Sequence, residues 1–361
     1  MYKLAIAMAL LMIPVLSKAI ETESEKTKRI VKTYALSAAT YVEIENKYGD
    51  IDVEVWDKDS IKFDILITVH SDKEDELADM LKQVQINLKA TSAFVLATTD
   101  WSEEVGMFKK EILKINQKVK SNSRFTINYK IKIPERIDLS LTNKFGNIFM
   151  SNYSGKLSID ISYGDFRAHR LSNVKQFNAK YGKVKIKELN YGRIELQSVK
   201  PFDVEKCIEL DMESSSSEIE IDQIKNLTIN SSHDDVLIEK IESITSTSSM
   251  SDFTIANLQT KILATSKYGS FKLMNVSGGC DKITIEATKT DIEIKIPAEF
   301  AATTELLYND NSYFTNNAGY IEVSSEVDAN GYYHATGMIN RDGKTEVYIK
   351  NINGYIQFDV N

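Results

Sequence analysis

Gly146-Asn147-Ile148-Phe149-Met150, Gly164-Asp165-Phe166 and Gly182-Lys183-Val184-Lys185-Ile186 are copies of one pattern, a glycine followed by alternating apolar residues, returning about every 17 or 18 residues. An aromatic residue precedes each glycine: Phe145, Tyr163 and Tyr181. The phase continues through Phe202/Val204, Ile219/Ile221, Val236/Ile238, Phe253/Ile255 and Phe271/Leu273, where small or polar residues replace the glycine until Gly269. A fixed period with one short alternating strand predicts a stacked β-solenoid, because each unit buries its apolar face only against the units above and below.

A second alternating pair follows about ten residues later, at Ile194/Leu196, Ile208/Leu210, Leu227/Ile229 and Ile283/Ile285. Two strands per coil are therefore expected, with inward side chains stacked at about 4.8 Å. Glycine at the corner permits a positive φ or a close backbone approach. Ser217, Asp234 and Ser251, at the same phase, predict corners closed by side-chain-to-backbone hydrogen bonds.

The solenoid reading covers residues 135–297. Residues 20–134 open with an early copy of the repeat, Tyr41 to Val53, and a strand over Ile61 to Val69. Leu77, Met80, Leu81 and Val84 then fall at helical spacing, with Ser71 or Asp72 as candidate N-cap. This small α/β insertion is expected to cover one end of the stack, where open strand edges would otherwise aggregate. A second helical stripe, Val105, Phe108, Ile112, Ile115 and Val119, is expected to pack on that cap. Arg124 to Ile133 alternates again until Pro134. Residues 298–361 lose the phase and resume it at Glu346 to Ile349 and Gly354 to Phe358, strands expected to close the far end.

Residues 1–19 have the form of a secretory signal: a basic Lys3, an apolar run from Leu4 to Leu16, and Ser17 and Ala19 at the −3 and −1 positions of a cleavage site. The expectation is export to the periplasm or cell surface, with no transmembrane segment in the mature chain. The full chain has a formal net charge of −8, and removing Lys3 and Lys18 makes it more acidic. That charge disfavours nucleic acid and anionic membrane as partners.

Asn46-Lys47-Tyr48-Gly49-Asp50-Ile51-Asp52-Val53, the Ile133-Pro134 step before Leu139 to Ile148, and Lys350-Asn351-Ile352-Asn353-Gly354-Tyr355-Ile356 resemble the bacterial putative-adhesin domains of unknown function, close to head GIN domain proteins. The resemblance implies an exported β-solenoid and supplies no catalytic residues. The chain departs from the family in the charged insertion from Trp101 to Asn122 and in the loss of glycine from the middle rungs.

The search for chemistry is mostly negative. His70, His169, His233 and His334 lack metal-ligand spacing, and the run Ser214 to Ser217 lacks the glycines of a nucleophile elbow. Gly278-Gly279-Cys280-Asp281 reads as a turn. No phosphate loop or dinucleotide fingerprint is present, so no cofactor is expected. A carbohydrate-active β-helix enzyme, a polysaccharide lyase or hydrolase, would need converging carboxylates or a calcium cluster; Asp203, Glu220, Asp234, Asp235 and Asp252 are the candidates. Glu218, Asp235 and Asp252, each next after the corner in successive rungs, are expected to form an outward row that takes a divalent cation. Tyr163 and Tyr181 are either a strip for stacking sugars or corner rings packed on each other. Cys207 and Cys280, four rungs apart, are expected to be free thiols. The leading functional expectation is a non-enzymatic envelope scaffold whose partner is a glycan or an envelope protein.

Overall fold

The computed structural model describes residues 24–101, 124–317, 320–340 and 343–360, the side chains of 320–326 excepted. Residues 1–19, read above as a signal, and the stripe from Val105 to Val119 lie outside the described residues. The chain is an all-β solenoid. Ile148 pairs in parallel with Phe166, Phe202 with Ile219, Ile219 with Val236, and Phe271 with Ile292, so the rungs stack at the repeat phase. We call the face bearing these residues the first face. The second face stacks Leu139 on Leu157, Leu210 on Leu227 and Ile262 on Ile283.

The expectation of two strands per coil needs correction. Between them lies a short third side, Lys206–Cys207 on Gln223–Ile224, contributing one inward residue per rung. Bends on either side of it break the alternation, so Cys207 points inward and Ile208 is only half-buried. The interior is otherwise a set of apolar columns: Ile221 and Ile238 are fully buried, and Phe253 stacks on Phe271 with ring centroids 5.1 Å apart.

Spatial order departs from chain order at both ends. The early copy of the repeat, Tyr41–Lys47 and Ile51–Trp56, is held between Asp138–Lys144 and Ile148–Ser162 on one side and Phe94–Trp101 and Arg124–Pro134 on the other. Beyond it, Ser60–Ser71 and Ser24–Ala35 add antiparallel strands, and Val84–Ala90 adds one to the second face. Helix Leu77–Gln83 buries Leu77, Met80 and Leu81 against these strands, as its spacing predicts. Its cap differs from expectation: neither Ser71 nor Asp72 is the N-cap residue, and Ser71 Oγ instead accepts the Lys73 N–H. The terminal strand Ser24–Ala35 exposes a row of charges, a composition that protects a sheet edge from further pairing.

At the far end, Thr345–Ile352 and Tyr355–Val360 stack on Lys282–Ile296, and Ala302–Tyr308 and Tyr313–Asn316 stack outside them. The last strands are thus not the closing ones. The chain first builds an outer rung, adds the antiparallel strands Tyr333–Ile339 and Tyr320–Val327, and then returns to fill the rung beneath.

Candidate binding surface

Every rung of the body turns its corner through one residue in the left-handed region. The column runs Tyr48, Phe145, Tyr163, Tyr181, Ser198, Ser216, His233, Met250, Tyr268, Lys289 and Asn353, with φ between 51° and 63°. The glycines follow these residues and serve the other purpose foreseen for them, close approach. A Cβ on Gly146 would lie 1.9 Å from the carbonyl oxygen of Gly49, and one on Gly164 equally close to that of Gly146.

The four N-terminal members of the column are aromatic and stack face to face. Tyr48–Phe145, Phe145–Tyr163 and Tyr163–Tyr181 have centroids 5.3, 5.2 and 4.9 Å apart and nearly parallel planes. Trp101 meets Tyr48 edge-on, and Lys144 Nζ lies 5.1 Å from the Phe145 centroid. These rings are about half exposed, but their neighbours occupy most of their faces. They offer edges and hydroxyls rather than an open platform for a sugar. Beside them is a shallow groove of about 460 Å³ lined by Asp50, Asn128, Asn147 and the rings. Along it the side chains hydrogen-bond from rung to rung: Asn147 N–H donates to Asp50 Oδ1 (2.8 Å), Asp165 N–H to Asn147 Oδ1 (2.8 Å) and Lys183 N–H to Asp165 Oδ1 (3.0 Å).

Where glycine is lost, the corner is rebuilt from buried side chains. Val199 N–H donates to Ser217 Oγ, Ser217 N–H to Asp234 Oδ1 and Asp234 N–H to Ser251 Oγ. Asp234 also accepts from Ser231 Oγ and Ser232 N–H. This bears out the expected corner hydrogen bonds. It also corrects the placement of Asp234 among outward catalytic candidates: at 4% exposure its carboxylate faces the interior.

The other acids stand along the first face. Asp203 pairs with Lys185 at 2.7 Å, and Glu218 with Lys200 at 3.3 Å. Glu218 is in register with Asp235, and Asp203 with Glu220. Asp252 accepts a hydrogen bond from Ser270 Oγ. Among the described residues no three His, Cys, Asp or Glu side chains converge as a metal ligand set. The histidines are dispersed: His169 contacts Asn152, His233 contacts Ser232, His334 contacts Asp328 and His70 lies near Glu25. In the turn containing Asp328, the Tyr332 N–H and then His334 hold the Asp328 carboxyl down at about 2. Cys207 and Cys280 are free and buried.

Tyr48 and Trp101 extend the aromatic corner beyond what the repeat reading singled out. Tyr48 carries the same aromatic-glycine signature as Tyr163. Trp101 has no local signal, because it reaches the corner through a strand that stacks out of chain order.

The Toastrack DUF4097 family model matches residues 82–357, most of the chain and all of the solenoid body. The chain belongs to this family. No curated protein matches it. Among solved structures, this Toastrack chain is similar to a putative cell adhesion protein from Clostridium sporogenes (10% identity, 93% of this chain and 100% of the other, TM-score 0.20). It is also similar to a putative adhesin from Parabacteroides merdae (11% identity, 75% and 92%, TM-score 0.26) and to a putative lipid binding protein from Parabacteroides distasonis (10% identity, 75% and 95%, TM-score 0.31). Among the described residues of this Toastrack chain, no helix is long and apolar enough to cross a membrane.

Proposed function

We propose that this chain is an exported, non-enzymatic scaffold of the cell envelope, in the periplasm or at the cell surface, that offers its first face and aromatic corner to a glycan or an envelope protein. One observation carries the reading: three of the five candidate acids are held apart from one another. Asp203 is held by Lys185, Asp234 by three interior donors and Asp252 by Ser270 Oγ, and Glu218 of the expected cation row is paired with Lys200. A lyase or hydrolase needs acids that converge on one bond across a cleft. The signal-like residues 1–19 support export. Glu218, Asp235 and Asp252 remain our proposed divalent-cation row on the same face.

A glycan array combined with a lyase and hydrolase screen on the chain from residue 20 tests the reading. Binding without turnover supports it, and turnover of any glycan gives the enzyme reading instead. N-terminal sequencing of the protein from the envelope fraction should begin at Ile20 if the signal is cleaved after Ala19.

A further inference from the structure

Charge is segregated along the solenoid axis. Residues 166–201 contain nine Lys and Arg against two Asp and Glu, whereas residues 202–242 contain twelve Asp and Glu against three Lys and Arg. On the first face two outward columns change sign between the rungs of Val184 and Phe202. One outward column there reads Phe149, Arg167, Lys185, then Asp203, Glu220, Leu237. The column beside it reads His169, Lys187, then Glu205, Asp222. Arg167, Lys187, Glu220 and Asp222 are exposed, and Leu237 is 40% exposed.

Both columns are antisymmetric about the boundary. A two-fold axis lying along the strand direction there turns a second copy end over end and keeps each column facing itself. Lys185 then meets Asp203 of the other copy, Arg167 meets Glu220, and Phe149 meets Leu237. In the second column Lys187 meets Glu205 and His169 meets Asp222. Each contact occurs twice, as an isologous interface requires. A third column opposes Asp165 to Glu218, which limits affinity. Six rungs at about 4.8 Å and strands of about five residues give roughly 500 Å² per copy, near the lower bound for a specific interface.

We propose that the first face binds a second copy of this chain in antiparallel orientation, through complementary charge belts. The association is reversible and salt-dependent, because its contacts are exposed ion pairs. The inference is independent of the enzyme reading, and self-association would compete with a glycan or envelope protein for the first face while leaving the aromatic corner free.

Sedimentation velocity on the chain from residue 20 tests it. The wild type should contain dimer at about 20 mM NaCl and dissociate at about 500 mM, where the Debye length falls well below 10 Å. R167E/K185E/K187E and D203K/E205K/E220K should each be monomeric at low salt, and their equimolar mixture should form a heterodimer. Thermal melts establish that both variants are folded; if one is not, the neutral set R167Q/K185Q/K187Q replaces it and should weaken dimerisation. A wild type that stays monomeric at low salt overturns the proposal, including the case where it binds heparin and the basic belt serves a polyanion. Dimerisation that persists in both reversed variants, or a mixture that fails to associate, overturns it as well.

Discussion

Asp234 Oδ1 accepts the backbone N–H of Ser217, one rung away, at 2.8 Å from a fully interior position. Replacing Asp234 with Ala would strand that N–H and the Ser232 N–H, while Ser231 Oγ keeps Ser251 Oγ as a partner. Unsatisfied buried groups cost about 1–3 kcal/mol each. We therefore expect D234A to lose about 3 kcal/mol in denaturant unfolding. D235A, whose side chain is exposed one residue away, should change stability by under about 0.5 kcal/mol.

The glycine column makes a sharper demand. At Gly164 an added Cβ would sit 1.9 Å from the Gly146 carbonyl oxygen, and the obstacle is backbone. G164A should cost about 3 kcal/mol or fail to fold. G278A, with nothing within 4 Å of its Cβ position, should be within about 0.5 kcal/mol of wild type. Paired thermal melts compare them.

The repeat phase made the body of the fold legible from sequence, because a column of equivalent residues must recur wherever rungs stack. Phase alone predicts Phe202, Ile219 and Val236 to face inward, and they do. Ile208 departs from the expected inward pair because the short third side carries one apolar residue per rung, too few to announce a strand. The exchanged order of the terminal rungs was illegible for a different reason. Tyr41–Lys47 pairs with Phe94–Trp101 as well as Asp138–Lys144, and no local pattern encodes which distant strand arrives beside it. Strand Ser24–Ala35 has no sequence signature because an edge strand rich in charge lacks alternation. At the surface, the acidic row was visible one residue at a time, but Lys200 beside Glu218 emerges only once the rungs are aligned.

Burial pushes the Cys207 thiol up to about 12 and the Cys280 thiol up to about 11. Ellman's reagent at pH 8 should therefore find neither thiol in the native chain and both after denaturation. Because the folded values lie above the ordinary thiol value of about 8.5, their stabilising contribution is complete below pH 8.5. It is lost as pH rises through 11 to 12. A disulfide-linked peptide in mass spectra would contradict the four-rung separation.

For the proposed cation row, calcium at about 10 mM should stabilise the chain by about 1.4–2.7 kcal/mol if the site has the weak affinity of extracellular calcium modules. The E218Q/D235N/D252N variant should lose that increment. An equal response in both chains would reduce the row to charged surface.

The rise of the stack is the central claim, and double electron–electron resonance between spin labels at outward positions of one column measures it directly. Native Cys207 and Cys280 are buried, so labels at introduced cysteines report alone. At about 500 mM NaCl, where the proposed dimer would dissociate, D203C/K272C spans four rungs and R167C/K272C spans six. Backbone separations of about 19 and 29 Å are expected, in proportion to rung number at about 4.8 Å each. Two distances that do not differ by about two rungs would contradict the stacked register.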